Sequence, residues 1–215
     1  MKLKSITLHF FSIIALLCIS TSPIIVYMST NSNWYHYNYQ FQRATKKISP
    51  SLVTKQTNNL TRFFLYKEKL NSNWKKYEIQ HMRDVRTLLY TFLLISLISL
   101  VFLILLPRIT KGNSLRTLRN ASSLLILLLT LFSIPIFYWF PFFWDQIFHP
   151  LFFKNNTWLY YKRDMSSYLF TLYFFIRSSF LLTAFCLSFN LLILTISGLI
   201  ISLKKKSVST DTNAA

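Results

Sequence analysis

Four stretches of the chain contain no Lys, Arg, Asp or Glu: residues 6–28, 88–106, 121–140 and 178–203. Each is about the length that an α-helix needs to cross a bilayer, roughly 20 mostly apolar residues. A Lys, Arg or Asp at the centre of such a helix costs about 2.5–3.5 kcal/mol on insertion, so each uncharged run reads as a transmembrane helix. The first run could instead be a cleaved signal, with Met1-Lys2-Leu3-Lys4 as its charged start. It is too long for a signal core and no small-x-small site follows it. Leu17 also stands where a lipoprotein signal requires a small residue before Cys18. An uncleaved helix is therefore expected.

Between the first two runs the chain is polar. Trp34, Tyr35, Tyr37 and Tyr39 suit a membrane interface, and Ser49-Pro50-Ser51 marks a turn or helix start. Helical spacing over 54–70 puts Leu60, Phe63, Tyr66 and Leu70 on one face with Phe64 at its edge. This segment is too small to bury a core alone, so a cap lying on the membrane surface is expected. Residues 140–177 are strongly aromatic, yet Asp145, His149, Lys154, Lys162, Arg163 and Asp164 interrupt them. That mixture predicts interfacial or re-entrant elements.

The expected fold is thus an all-α integral membrane protein with four transmembrane helices, an extracellular cap and interfacial elements. Its segments are a first helix at 1–28, a cap at 29–85, a second helix at 86–107 and a cytoplasmic loop at 108–120. A third helix at 121–140, an outer interfacial segment at 141–177, a fourth helix at 178–203 and a cytoplasmic tail at 204–215 complete it. Orientation follows from Lys2 and Lys4, from Arg108, Lys111, Arg116 and Arg119, and from Lys204, Lys205 and Lys206. These three clusters share the cytoplasmic side only if the number of spans is even. The 29–85 segment is basic too, but long loops translocate largely regardless of charge.

Composition agrees with the pattern: 53% of the 215 residues are hydrophobic and 14% are charged, against about a quarter charged in soluble domains. The formal net charge of +18 points to an anionic membrane rather than to nucleic acid, because the apolar runs leave little chain for a basic soluble domain. Gly112 and Gly198 are the only glycines, which excludes a P-loop, a dinucleotide fingerprint and a Gly-x-Ser-x-Gly elbow. Cys18 and Cys186 lie inside apolar runs and read as inert thiols, forming neither a disulfide framework nor a zinc site.

Two histidines stand out. His81 sits where the outer segment enters the second helix, and His149 lies between Phe148 and Pro150. On helical backbone His81 would share a face with Asp84, and His149 with Asp145. A carboxylate beside an imidazole fixes its tautomer and raises its pKa, which suits general acid–base work. The competing reading is two interfacial histidines satisfied by water or headgroups. His9, inside the first helix, and His36, in the Tyr-rich strip, take that plainer reading. Glu78 and His81 have Glu-x-x-His spacing, but the chain lacks the second pair that a di-metal site needs. No metal is expected.

At these residues the sequence resembles the lipoprotein intramolecular transacylase (Lit) family of bacterial membrane proteins. The matching pieces are His81-Met82-Arg83-Asp84-Val85-Arg86-Thr87-Leu88, the run from Phe148-His149-Pro150 through Lys154-Asn155-Asn156-Thr157-Trp158-Leu159, and Asp164. Their order and flanking helices agree over most of the chain. After Asp164 the chain departs from the family's pattern, since Ser166-Ser167-Tyr168-Leu169-Phe170-Thr171 holds neither a proline nor an acidic residue. The resemblance implies His81 and His149 as a catalytic pair, with Asp84, Asn155, Trp158 and Asp164 as cleft residues. It implies transfer of an acyl chain from the glycerol of a diacylglyceryl-cysteine to the same cysteine's α-amino group, giving a lyso-form lipoprotein. Donor and acceptor then lie on one substrate, so no cofactor is expected. Partners would be diacylated bacterial lipoproteins and membrane lipid, with no nucleic acid, and the site would face outward from the bacterial cell membrane. Two other classes compete: a non-enzymatic assembly or transport subunit, disfavoured by the charge-free spans, and a metal-dependent membrane hydrolase, which chelation would inhibit.

The charge clusters make a topological prediction. Tags at Asn113 and at the C-terminus should face the cytoplasm, and tags near Asn59 and Asn156 should face outside. Cysteine accessibility labelling that places Asn59 and Asn113 on one side excludes the four-span arrangement.

Overall fold

The computed structural model of the chain describes residues 2–40, 48–153, 156–158 and 164–213. Among these residues every regular element is helical. Helix α1 (Lys2–Thr30) is followed by α2 (Ser32–Gln40), α3 (Pro50–Phe64), α4 (Lys76–Ile109) and α5 (Ser114–Tyr138). Short pieces come next: α6 (Phe140–Phe142), a π-helical turn (Phe143–Phe148), α7 (His149–Phe152), a 3-10 turn (Asn156–Trp158) and α8 (Met165–Leu169). The chain then enters α9 (Leu172–Asn213). Four helices are long and apolar enough to cross a membrane, over Ile6–Thr30, Lys76–Ile109, Ser114–Tyr138 and Leu172–Ser207. They contain three of the four uncharged runs and all but the last two residues of the third, 121–140. Helix α4 starts well before its uncharged run, so His81 lies on a polar first portion of the same helix.

The chain divides into two compact units. The first comprises Met1–Ser22, Leu93–Ile134 and Thr183–Ala215. Leu16, Ala121, Leu125 and Cys186 form its core. Lipid tails are as apolar as leucine, so helices in a bilayer associate through close packing and small polar contacts. Here Ser22 Oγ donates to Ser96 Oγ at 2.6 Å, Ser96 Oγ donates to the Cys18 carbonyl at 3.2 Å, and Ser20 Oγ lies 2.9 Å from Cys186 Sγ. Large apolar side chains point outward instead, among them Leu97, Ile104, Leu127 and Leu199. In water so many would be an association hazard, whereas in hydrocarbon they are in their own solvent.

The second unit comprises Pro23–Phe92 and Pro135–Leu182. Its helix α3 is well specified locally. Ser49 accepts from the Leu52 N–H at 3.3 Å as N-cap, and Pro50 occupies the first turn, where its missing N–H costs nothing. Val53, Gln56, Thr57, Leu60, Phe63 and Phe64 then fall on one face, and all are buried. That face joins a core built from Trp34, Tyr35 and Tyr39 of α2, Trp74 and Met82, together with Met165, Leu169 and Phe174 from the second outer segment. The apolar face of α3 is covered by protein. The first outer segment could not enclose a core by itself, and the second completes it.

The expected helix over 54–70 stops at Phe64. Tyr66 takes a positive φ of 57°, which turns the chain and leaves its ring exposed, while Leu70 is buried from the following loop. The cause is a set of donors from α4. Arg86 Nη1 donates to the Phe63 carbonyl at 3.0 Å, and Tyr90 O–H donates to the Phe64 carbonyl at 3.0 Å. These satisfy carbonyls that a helix end leaves without an internal partner. The Arg86 guanidinium also lies 4.1 Å from the Phe63 ring centre and 3.9 Å from that of Tyr66.

Arg86 should therefore dominate the α3–α4 attachment. Arg86→Ala is expected to destabilise the second unit by about 2 kcal/mol, combining a charged hydrogen bond with stacking on two rings. Arg86→Lys should recover little, because an ammonium cannot stack as a plane. Equilibrium denaturation in a bilayer mimetic measures both.

Candidate active site

The second unit brings the two singled-out histidines together. His81, on the second turn of α4, and His149, at the start of α7, are both buried, and their ring centres are 6.1 Å apart at an interplanar angle of 30°. Phe153 touches both, with ring centres 4.6 Å from His81 and 5.6 Å from His149. Trp158 stacks on His149 at 4.6 Å, and Trp144 meets the same imidazole edge-on at 4.9 Å and 87°. An aromatic wall therefore fixes the plane of His149.

The π-helical turn decides what His149 bonds. Its wider winding lets the His149 N–H reach the Trp144 carbonyl, five residues back. The same carbonyl lies 2.8 Å from His149 Nδ1. A carbonyl can only accept, so Nδ1 carries the proton and Nε2 is the basic nitrogen. This corrects the expected Asp145–His149 pairing. An α-helical register would bring residue 145 over 149, whereas the extra residue in the π turn brings Trp144 there and leaves Asp145 exposed. Asp145 still acts at a distance. Burial pushes the His149 pKa below the usual imidazole range, against smaller upward effects of the Trp144 hydrogen bond and the Asp145 charge. The net direction is opposite to that of a carboxylate-paired histidine, because desolvation outweighs a charge that faces solvent.

The other expected cleft residues are placed differently. Trp158 is at the pair. Asp84 is half-buried and accepts from Gln80 Nε2 at 3.1 Å. Asn155 lies outside the described residues. Asp164 is fully buried and holds Lys75 Nζ and the Tyr77 O–H, each at 2.6 Å. Glu78, considered above as a metal ligand, has both oxygens on hydrogen-bond donors. Oε2 accepts from the Lys75 N–H at 2.8 Å, and Oε1 accepts from the Ser166 N–H at 2.7 Å and its O–H at 2.6 Å. Outside the pair, His36 Nε2 lies 3.3 Å from Thr57 Oγ1, tying α2 to α3. Phe153 and Ser166 were not singled out by spacing. Phe153 meets His149 within one helical turn but His81 from 72 residues away, and Ser166 meets Glu78 from 88 residues away.

The profile of the lipoprotein intramolecular transacylase Lit family matches residues 6–175. The chain belongs to this family. It is a multi-pass membrane transferase of lipoprotein modification, a lipoprotein intramolecular transacylase. A solved structure of membrane-integral Lit from Bacillus cereus is similar over 96% of this chain and 100% of that one, with a TM-score of 0.75 and 16% identity. Two structures of the same protein with one histidine substituted match as well. The arginine variant has a TM-score of 0.70 at 15% identity and covers 95% of each chain. The alanine variant has a TM-score of 0.69 at 14% identity and covers 94% of this chain and 96% of that one. At such identities the likeness concerns the fold. No curated protein matches by sequence.

Burial of a neutral His149 makes stability depend on pH with a definite sign. The folded pKa is depressed, so the unfolded chain binds more protons, and the contribution is complete above the ordinary imidazole value near ~6.5. It is lost as pH falls from there through the folded value. The melting temperature of the parent should fall as pH drops below about 6.5. His149→Asn, which keeps a donor for the Trp144 carbonyl, should show a shallower fall.

Proposed function

We propose that His81 and His149 are the catalytic pair, and that the reaction moves an acyl chain from glycerol oxygen to the α-nitrogen of one cysteine. The observation that carries this is the pair of buried imidazoles 6.1 Å apart across a shared phenylalanine. Two such groups can address opposite sides of one ester. The acceptor is an α-ammonium with a pKa near ~7.7–8.0, which must lose a proton before attack. One imidazole takes that proton. The amine nitrogen then bonds to the ester carbonyl carbon, and the tetrahedral intermediate collapses with cleavage of the carbon–glycerol oxygen bond. The nitrogen gives up a second proton as it becomes the amide, the other imidazole in its protonated form gives one to the leaving oxygen, and the net proton lost from the ammonium passes to water. The products are an amide and a free glycerol hydroxyl on the same molecule, so atoms balance without a second substrate.

The ring that closes in the transition state runs through nitrogen, both cysteine carbons, sulfur and glycerol. Holding a flexible substrate in that shape is where binding contributes most to the rate. His149 is suited to proton removal because it is held neutral with Nε2 basic. Asp84, Asn155, Trp158 and Asp164 are read as supporting residues of the cleft. Residues 29–85 are read as an extracellular cap and the site as facing outward, because the Lys/Arg clusters mark the cytoplasmic side. The substrate is then a diacylated lipoprotein anchored in the same leaflet.

Loss of a general acid or base typically lowers a rate by about 10²–10⁴-fold. His81→Ala and His149→Ala should each fall by that much in lyso-form production from a purified diacylated lipopeptide, with insertion and protein level unchanged. His36→Ala should stay active. Mass spectrometry of the product reads the outcome, and full activity in either of the first two variants excludes the pair.

A further inference from the structure

The first turn of α4 and the first turn of α8 satisfy each other. Asp164 stands at the N-cap of α8, where its side chain would ordinarily accept from that helix's own N–H groups, yet it makes no such bond. It turns instead to Lys75 and Tyr77 at the start of α4. Glu78, in the third position of α4, accepts the N–H of Lys75 at that helix's own N-cap, which is half of a capping box. Its other oxygen supplies what Asp164 withholds, accepting the N–H and O–H of Ser166 in the first turn of α8. Glu78, Asp164 and Ser166 are all fully buried. The hydrogen bond from Lys75 to Asp164 also raises the lysine's pKa.

The consequence concerns His81. It lies three residues after Glu78, on the same face of α4 and about 4.5 Å further along the axis. A helix start without partners for its N–H groups frays, and fraying over one turn reaches His81. We infer that Glu78 is a positioning residue of the transacylase: by joining two helix starts through one carboxylate, it holds His81 at its working distance from His149. This deepens the catalytic-pair reading and rests on it. Three donors converge on two carboxylate oxygens. An amide at that position must turn an NH2 toward at least one of those donors, so Gln is not a substitute.

The test uses the full-length protein in a bilayer mimetic with a synthetic diacylglyceryl-cysteine lipopeptide, measuring kcat, KM and melting temperature. A misplacement of about 1 Å can cost a reaction 10²-fold. Glu78→Gln should accordingly lose at least about tenfold in kcat, with KM within about twofold of the parent. Ser166→Ala should lose about threefold in kcat, and Ser166→Thr, which restores the hydroxyl, should regain it. Parental kcat in Glu78→Gln overturns the inference, even if its melting temperature falls, because a purely structural carboxylate affects only the folded fraction. If Glu78→Gln does not fold, the serine variants decide, and parental kcat in Ser166→Ala overturns it. His81→Ala, run in parallel, separates the two ideas. Parental activity there defeats the catalytic pair itself, whereas an inactive His81→Ala beside an active Glu78→Gln defeats the positioning role alone.

Discussion

A buried carboxylate is tolerated only where donors surround it, and the Glu78 side chain meets that condition with three of them. In the second unit this arrangement gives direction to the join between two distant chain segments. These segments are separated by two transmembrane helices in sequence. Among the described residues, the polar ties between them include the crossed contacts among Lys75, Tyr77, Glu78, Asp164 and Ser166, and the Trp34 Nε1–H donates to Ser178 Oγ at 3.2 Å. Apolar packing adds area, with Met82 on one side and Met165, Leu169 and Phe174 on the other. Packing of that kind is non-directional. The hydrogen bonds define register.

Register matters because the chemistry is a matter of placement. Neither histidine is unusual by itself. The π-helical turn sets the tautomer of His149, the aromatic rings set its plane, and the start of α4 sets the height of His81. Pro150 belongs to the same device: it lacks the N–H that would continue a regular ladder. The site is thus made at helix ends and at a break in winding, where backbone groups seek partners outside their own helix.

How far the sequence was legible can be judged element by element. The four spans were, because hydrocarbon imposes a length and forbids charge, and both constraints are local. The start of α3 at Ser49-Pro50 was also local. Its end was not: Arg86 and Tyr90 on another helix satisfy its last carbonyls, so helical spacing alone carried the expected helix too far. The His149 partner was misjudged for a related reason. Spacing by four assumes an α-helix, and a π turn shifts the face by one residue.

The sequence by itself thus determined the membrane class and the family and singled out two histidines that folding brings together, because hydropathy and motif spacing are properties of short stretches. The tertiary structure decided what those side chains touch. It set Asp164 against Lys75 at a helix start, gave Glu78 two helices to cap, and set a backbone carbonyl rather than a carboxylate on His149. The physical reason is that hydrogen-bond demand is met by whichever group folding brings within reach, and reach across 88 residues of chain, as between Glu78 and Ser166, is written in no local pattern.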